Sequence, residues 1–192
     1  MDFIYEVENN LPKELCEEMI ERYKNDNLKI DGVLGYGDNN TIDKSVRSST
    51  IVVLRKDSVW SDIDQILYEK LQKGLDEYMK YLKKFISIRG QTIENLFTKD
   101  EGYHIQEMKS GDFYDWHYDD GPGQNRMITA IWYLNTLKED EGGTTDFWCG
   151  KRVRPKQGTL LLFPSSWSYF HRGAPVKNSA TKYTCMTWLI RV

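Results

Sequence analysis

Lys182-Tyr183-Thr184-Cys185-Met186-Thr187-Trp188-Leu189-Ile190 is the stretch on which the fold turns. Side chains alternate across a strand. Lys182, Thr184, Met186, Trp188 and Ile190 therefore share one face, and Tyr183, Cys185, Thr187 and Leu189 share the other. Two readings follow. If the first face is an interior, Lys182 sets an ammonium among apolar side chains, where an unpaired cation must lose its proton or find an anion. If it is the exterior, Lys182 is solvated and Cys185 and Leu189 pack inside.

Short apolar runs broken by Gly, Pro and Asn precede this strand from Gly102 onward: Tyr103–Met108, Phe113–Tyr118, Met127–Leu134, Thr144–Trp148, Thr159–Phe163 and Ser168–His171. Many short strands at this spacing predict a barrel or a double-sheet jelly roll. The first hundred residues read differently. Phe3–Glu8 alternates like a strand, and Pro12 suits the first turn of a helix carrying Leu15, Met19, Ile20 and Tyr23. Residues 27–44 form a long polar loop, either a lid or a disordered segment. Val46–Leu54 reads as a strand. Ser58–Phe85 is helical, with a stripe from Ile63 to Leu82 that fits a helix laid on a sheet. Ser61 and Asp64 resemble a capping box, and Gly74 on the stripe permits close packing. The expected whole is one α+β domain over residues 1–192, with a helical support region (1–100) and a jelly-roll core (101–192).

Composition removes several functions. A net charge of −3 offers no footprint for nucleic acid. No run is long and apolar enough to span a membrane, and the start of the chain does not read as a signal peptide. Cys16, Cys149 and Cys185 are far apart and make no CxxC pair, as expected of free thiols in a reducing, cytoplasmic setting.

The chain has three histidines, and one of them stands in His117-Tyr118-Asp119. In an extended chain His117 and Asp119 face the same way, two parts of the His/His/carboxylate set that suits non-haem Fe(II). His171 is the candidate third part. Such a triad leaves three metal positions open, enough for a bidentate cosubstrate and O2. The competing interpretation treats His-x-Asp as coincidence and each histidine as an ordinary hydrogen-bonded residue. Tyr133, on a face with Thr129 and Ile131, could offer a hydroxyl to the anion that Lys182 needs. Asp112, Asp115 and Asp120 read as a solvated rim, since the interleaved aromatics do not suit a calcium loop.

Five segments, in order, carry a resemblance: Gly111–Asp119, Ile131–Asn135 with Glu141–Phe147, Pro155–Pro164, His171–Val176 and Lys182-Tyr183. They resemble the prolyl-4-hydroxylase-like branch of the Fe(II)/2-oxoglutarate dioxygenases. Asn9–Cys16 and Arg47-Ser48-Ser49 match that branch more loosely. The resemblance implies a double-stranded β-helix buttressed by helices, with Fe(II) on His117, Asp119 and His171. It implies 2-oxoglutarate with its far carboxylate on Lys182, helped by Tyr133, and O2 as co-reactant, with ascorbate as accessory reductant. Ile131, Leu160 and Trp188 are implied as dry walls, and Arg47, Ser49 and Trp116 as substrate contacts. Where the family often carries a tyrosine three residues before the glycine matching Gly111, this chain has Met108, which removes a possible hydrogen bond to 2-oxoglutarate.

The implied reaction hydroxylates an unactivated C–H while 2-oxoglutarate becomes succinate and CO2. A peptidyl proline is the favoured substrate, in a protein that is a monomer or homodimer. A same-fold dioxygenase acting on a free amino acid or other small molecule, and a non-catalytic jelly-roll binding module, stay open.

Overall fold

The computed structural model describes residues 2–35, 41–85 and 99–191. In chain order it contains β1 (Tyr5–Val7), α1 (Lys13–Asn25), β2 (Ile30–Asp31), β3 (Thr50–Leu54), α2 (Ser61–Leu82), β4 (Lys99–Asp100), β5 (Tyr103–Lys109), β6 (Tyr114–His117) and β7 (Arg126–Tyr133). β8 (Thr145–Phe147), β9 (Arg152–Val153), β10 (Leu160–Pro164), β11 (His171–Gly173) and β12 (Thr181–Ile190) complete it. The larger sheet runs β1-β10-β7-β12-β5-β3-β2, with β4 also on β12; the smaller runs β6-β11-β8-β9. From β5 onward the chain crosses repeatedly between the two, which is the jelly-roll path. The strands pair antiparallel throughout.

β12 lies at the centre of the larger sheet, between β5 and β7. Its outward residues Tyr183, Cys185 and Leu189 join the main core, together with the buried stripe of α2 (Ile63, Leu67, Leu71, Leu75, Tyr78, Leu82) and Cys16, Met19 and Tyr23 of α1. The helices thus cover one face of the sheet only. The other face meets the smaller sheet through Ile4, Ile131, Phe147, Val153, Leu161 and Phe163. A polar clamp fixes the helical layer: Trp132 Nε1 donates to Asn10 Oδ1 at 2.7 Å, and Asn10 Nδ2 donates to the Lys70 carbonyl at 3.1 Å.

Several expectations need correction. Ser61 does not cap α2; it is the first helical residue, after Trp60, and no side chain caps the helix. The start is fixed instead by burial of Trp60, whose indole N–H donates to Asp26 Oδ2 at 2.8 Å. Pro12 occupies the N-cap of α1, one residue before the first turn. The first hundred residues are more than helical support, because β1, β2, β3 and β4 all extend the larger sheet. Of the predicted loop at 27–44, Ile30–Asp31 pairs with β3 and Leu34 bridges Thr41; residues 36–40 lie outside the described residues. Arg47 bridges Tyr114 across the mouth of the roll, short of the ladder of β3. The expected strand Ser168–His171 is a 3-10 turn (Trp167–Tyr169) followed by β11. β9 was not anticipated.

Gly74 does permit close packing: a Cβ there would meet Leu160 Cδ2 at 2.4 Å. Gly74→Ala should gain up to ~1 kcal/mol of helix propensity but lose about 1–3 kcal/mol to overpacking against a fully buried leucine. The expected outcome is net destabilisation, read as a lower urea midpoint with an unchanged m-value.

Candidate metal and cosubstrate site

His117 closes β6, and His171, the first residue of β11, is its register partner. Asp119 lies two residues past His117, where the N–H groups of Asp119 and Asp120 both donate to the Ser165 carbonyl (3.1 and 3.0 Å). The chain therefore leaves the smaller sheet and is pinned to the end of β10. His117 Nε2 is 3.7 Å from Asp119 Oδ1, and His171 Nε2 is 3.6 Å from Asp119 Oδ2. One ligand atom from each residue fits within 4.8 Å of the others, the one such group among the described residues.

Both imidazoles are aimed by their own backbone. His117 Nδ1 is 2.7 Å from the Asp115 carbonyl, and His171 Nδ1 is 3.0 Å from the Tyr169 carbonyl. A carbonyl can only accept, so Nδ1 carries the proton and the Nε2 lone pair is left facing Asp119. Burial, reinforced by His171, pulls the His117 imidazole down to about 3, so it is neutral at pH 7, as a metal ligand must be. Burial opposes ionisation of Asp119. The neighbouring imidazoles, the Thr129 hydroxyl and Arg126 nevertheless hold its carboxyl below the ordinary range. Thr129 Oγ1 donates to Asp119 Oδ2 at 2.6 Å and is 2.9 Å from Ser165 Oγ. Tyr114 stacks on His117 (centroids 3.6 Å apart), and Phe163 stands edge-on to His171 at 4.7 Å. Two imidazole nitrogens and a carboxylate on rigid strands are a donor set that fits Fe(II) and leaves one side open.

That side opens into a cavity of about 530 Å³ between the sheets. Lys182, Thr184, Met186 and Trp188 line it, so the first reading of the β12 alternation holds. Lys182 is 4 % exposed. Among the described residues it has no hydrogen-bond or ion-pair partner; its Nζ lies 5.5 Å from the Tyr133 ring centroid. Burial lowers its pKa to about 8, with Asp146 acting weakly the other way. A buried, unpartnered ammonium in a cavity fits an anionic ligand.

The remaining predicted residues divide. Ile131 and Arg47 line the cavity. The Arg47 guanidinium sits over the Tyr114 ring at 4.7 Å and donates to the Val33 carbonyl (2.8 Å) and Ser49 Oγ (3.1 Å). Ser49 holds Arg47 and does not itself reach the cavity wall. Tyr133 is behind the wall: its hydroxyl pairs with Thr145 Oγ1 at 2.7 Å, and Thr145 is the residue exposed to the cavity. Leu160 is no wall of this cavity, because it faces the helices while Leu161 and Phe163 face inward. Trp116, next to inward-facing His117, points away; it is 37 % exposed and stacks on Phe170. Asp112 and Asp120 do more than form a rim. Asp112 accepts from Ser48 Oγ and Lys109 N–H, and Asp120 accepts from Arg126 N–H.

Sequence reading missed Thr129, His104, Gln106 and Arg126. His104, the third histidine, lines the cavity and lies against Trp188 (5.3 Å); burial takes it down to about 3. Arg126 lies over the Trp188 ring at 3.6 Å and makes a two-pronged ion pair with Glu101. The parity of β5 could have pointed to His104, Gln106 and Met108 as one face.

Residues 103–190 match the family model described as the 2OG-Fe(II) oxygenase superfamily. No curated protein sequence matches the chain. Among solved structures, a viral collagen prolyl hydroxylase from Paramecium Bursaria Chlorella virus-1, in its 2-oxoglutarate complex, aligns with TM-score 0.70 at 23% identity, covering 100% of this chain and 97% of that one. A Trichoplax adhaerens prolyl hydroxylase in complex with a hypoxia inducible factor peptide fragment aligns with TM-score 0.77 at 18% identity (99% and 84% covered). A Pseudomonas putida prolyl-4-hydroxylase aligns with TM-score 0.70 at 16% identity (98% and 92%). The fold is shared across both chains in each case. Residues 103–190 thus resemble the 2OG-Fe(II) oxygenase superfamily, on a fold that the whole chain shares with the aligned structures.

Proposed function

We propose that the whole chain, residues 1–192, acts as one domain that hydroxylates a peptidyl proline at the expense of 2-oxoglutarate and O2. The observation that carries this is a single cavity lined both by the His117–Asp119–His171 cluster and by the buried Lys182, which has no hydrogen-bond or ion-pair partner among the described residues. His117, Asp119 and His171 would hold Fe(II), and Lys182 would hold the far carboxylate of 2-oxoglutarate. Iron so held supplies the oxidising power for an unactivated C–H, with succinate and CO2 as co-products.

The residues do the positioning. Thr129 and the two backbone carbonyls fix the ligand rotamers, so no reorganisation is left for the moment of binding. Ile131, Met186 and Trp188 keep water from the reacting region. Arg47, lining the same cavity with its guanidinium already oriented by Tyr114 and Ser49, suits a contact to peptide carbonyls. A peptide is favoured by the Trichoplax neighbour, which holds one, and by the prolyl hydroxylases among the aligned structures. Ascorbate is the expected reductant for keeping the metal ferrous, and the unpaired, unclustered thiols suit the cytoplasm. Among the described residues no helix is long and apolar enough to cross a membrane.

Anaerobic addition of Fe(II) and 2-oxoglutarate should produce a metal-to-ligand charge-transfer band that requires both. Admission of O2 should then yield succinate, and proline-bearing peptides should gain one oxygen by mass. No band from folded protein overturns the enzyme reading. A band with succinate but no change in any peptide redirects it to a small-molecule substrate.

Lys182 gives a pH signature. Its pKa in the free protein is lowered to about 8. The anion binds the ammonium form, so affinity should be constant below that value and fall about tenfold per pH unit above it. Lys182→Arg should flatten the profile, as read from dissociation constants between pH 7 and 9.5.

Thr129→Val should weaken Fe(II) binding about 10- to 100-fold by freeing the Asp119 carboxylate. Competition against a chelating dye measures it. Unchanged affinity would show that the Thr129 bond does not orient the ligand.

A further inference from the structure

Gln106 is the cavity residue whose chemistry is left unused. It is 4 % exposed, lines the cavity from β5, and its Nε2 has no hydrogen-bond partner among the described residues. A buried amide N–H without an acceptor costs stability, which selection tolerates when a ligand supplies the acceptor. Register says where that acceptor lies. On the inner face Lys182 pairs with Met108 and Thr184 pairs with Gln106. Gln106 is therefore the diagonal neighbour of Lys182, roughly 7–8 Å away along the sheet, within reach of two long side chains that converge on one group. A carboxylate has two oxygens and room for several donors, and a single ammonium does not saturate it. Trp188 Nε1 is also unpartnered, but Trp188 pairs with Thr129, in the same inner-face row as the residue that holds Asp119.

Resting on the reading of Lys182 as the anchor of 2-oxoglutarate, we propose that Gln106 is a second anchor of the same carboxylate, donating through Nε2 to the oxygen that Lys182 leaves free. Met108, the residue paired with Lys182, brings a thioether with no donor to this region. Gln106, one step along the same inner face, supplies one.

The test is an anaerobic titration of Fe(II)-loaded protein with 2-oxoglutarate, followed by the charge-transfer band. Gln106→Leu should weaken 2-oxoglutarate binding about tenfold, the loss of one hydrogen bond to a charged group, and leave Fe(II) affinity unchanged. The free variant should melt no lower than the parent, because an unsatisfied amide has been replaced by an apolar group of similar size. Gln106→Glu, which keeps the shape and adds a like charge, should weaken binding further. Met108→Tyr added to Gln106→Leu should recover part of the affinity. Binding by Gln106→Leu within twofold of the parent overturns the inference. So does unchanged 2-oxoglutarate affinity with a raised peptide KM, which would assign Gln106 to the substrate. A parent protein that gives no band at all sinks the underlying reading and this inference with it.

Discussion

The hydrogen bond from Thr129 to Asp119 joins the two halves of the molecule where the chemistry is. Asp119 belongs by sequence to the smaller sheet, two residues beyond β6, yet its carboxylate and its N–H are both held from the larger one, by Thr129 on β7 and the Ser165 carbonyl after β10. The histidines come from the smaller sheet alone. The triad therefore exists only when the sheets are docked at the correct spacing, and 2.6 Å leaves little tolerance in that spacing. Docking is maintained by a dry cluster from both sheets beside the triad, in which Phe147 and Phe163 touch each other and His171. The candidate metal site is thus an interface property of the roll.

Charge gives the same account from the other direction. The cavity buries one carboxylate, Asp119, and two cations that lack a carboxylate partner among the described residues, Lys182 and Arg47. Isolated charges in such a place are expensive. A divalent cation beside Asp119 and a dianion beside Lys182 would bring those four charges to zero. Arg47 is handled separately, by a carbonyl, a hydroxyl and an aromatic face that spread its charge without neutralising it. Its burial lowers the guanidinium pKa, while Tyr114 and Asp119 oppose the shift. Both uncompensated charges suit ligands of opposite sign bound side by side.

How much of this could be read from the sequence depended on whether neighbouring residues differ in character. In β12, Lys182-Tyr183-Thr184-Cys185 alternates polar and apolar, so the two faces could be separated, but which of them is the interior only the packing of the sheets decides. His117-Tyr118-Asp119 was legible for the same reason, and parity alone should have turned Trp116 outward, since it adjoins His117. Leu160-Leu161-Leu162 carries no such signal: identical side chains face the helices and the cavity in turn, and nothing local separates them. The Ser61–Asp64 pattern misled because a tertiary contact, Trp60 with Asp26, sets the helix start more firmly than a cap would. Thr129 and Tyr133 act through partners 10 and 12 residues away across the gap between the sheets, and Ser165 through one 36 residues away on a neighbouring strand, none of which a period in the chain encodes.

The two faces of the larger sheet divide stability and chemistry between them. Its outer face is continuous hydrocarbon against α1 and α2, tied by Asn10 to both Trp132 and the α2 backbone. Its inner face carries Lys182, Gln106, His104 and Thr184, groups that weaken a fold when left without partners. A sheet with such an inner face stays closed because the apolar area on the outer face outweighs it, and because the strand order puts the most polar inner strands, β12 and β5, under the helical layer rather than at an edge. Damage to the outer face, as by crowding Gly74 against Leu160, would act on the site only by loosening this support. Damage to the inner face would leave the fold intact and change what it binds. That separation is what allows cavity residues to be exchanged without renegotiating the core.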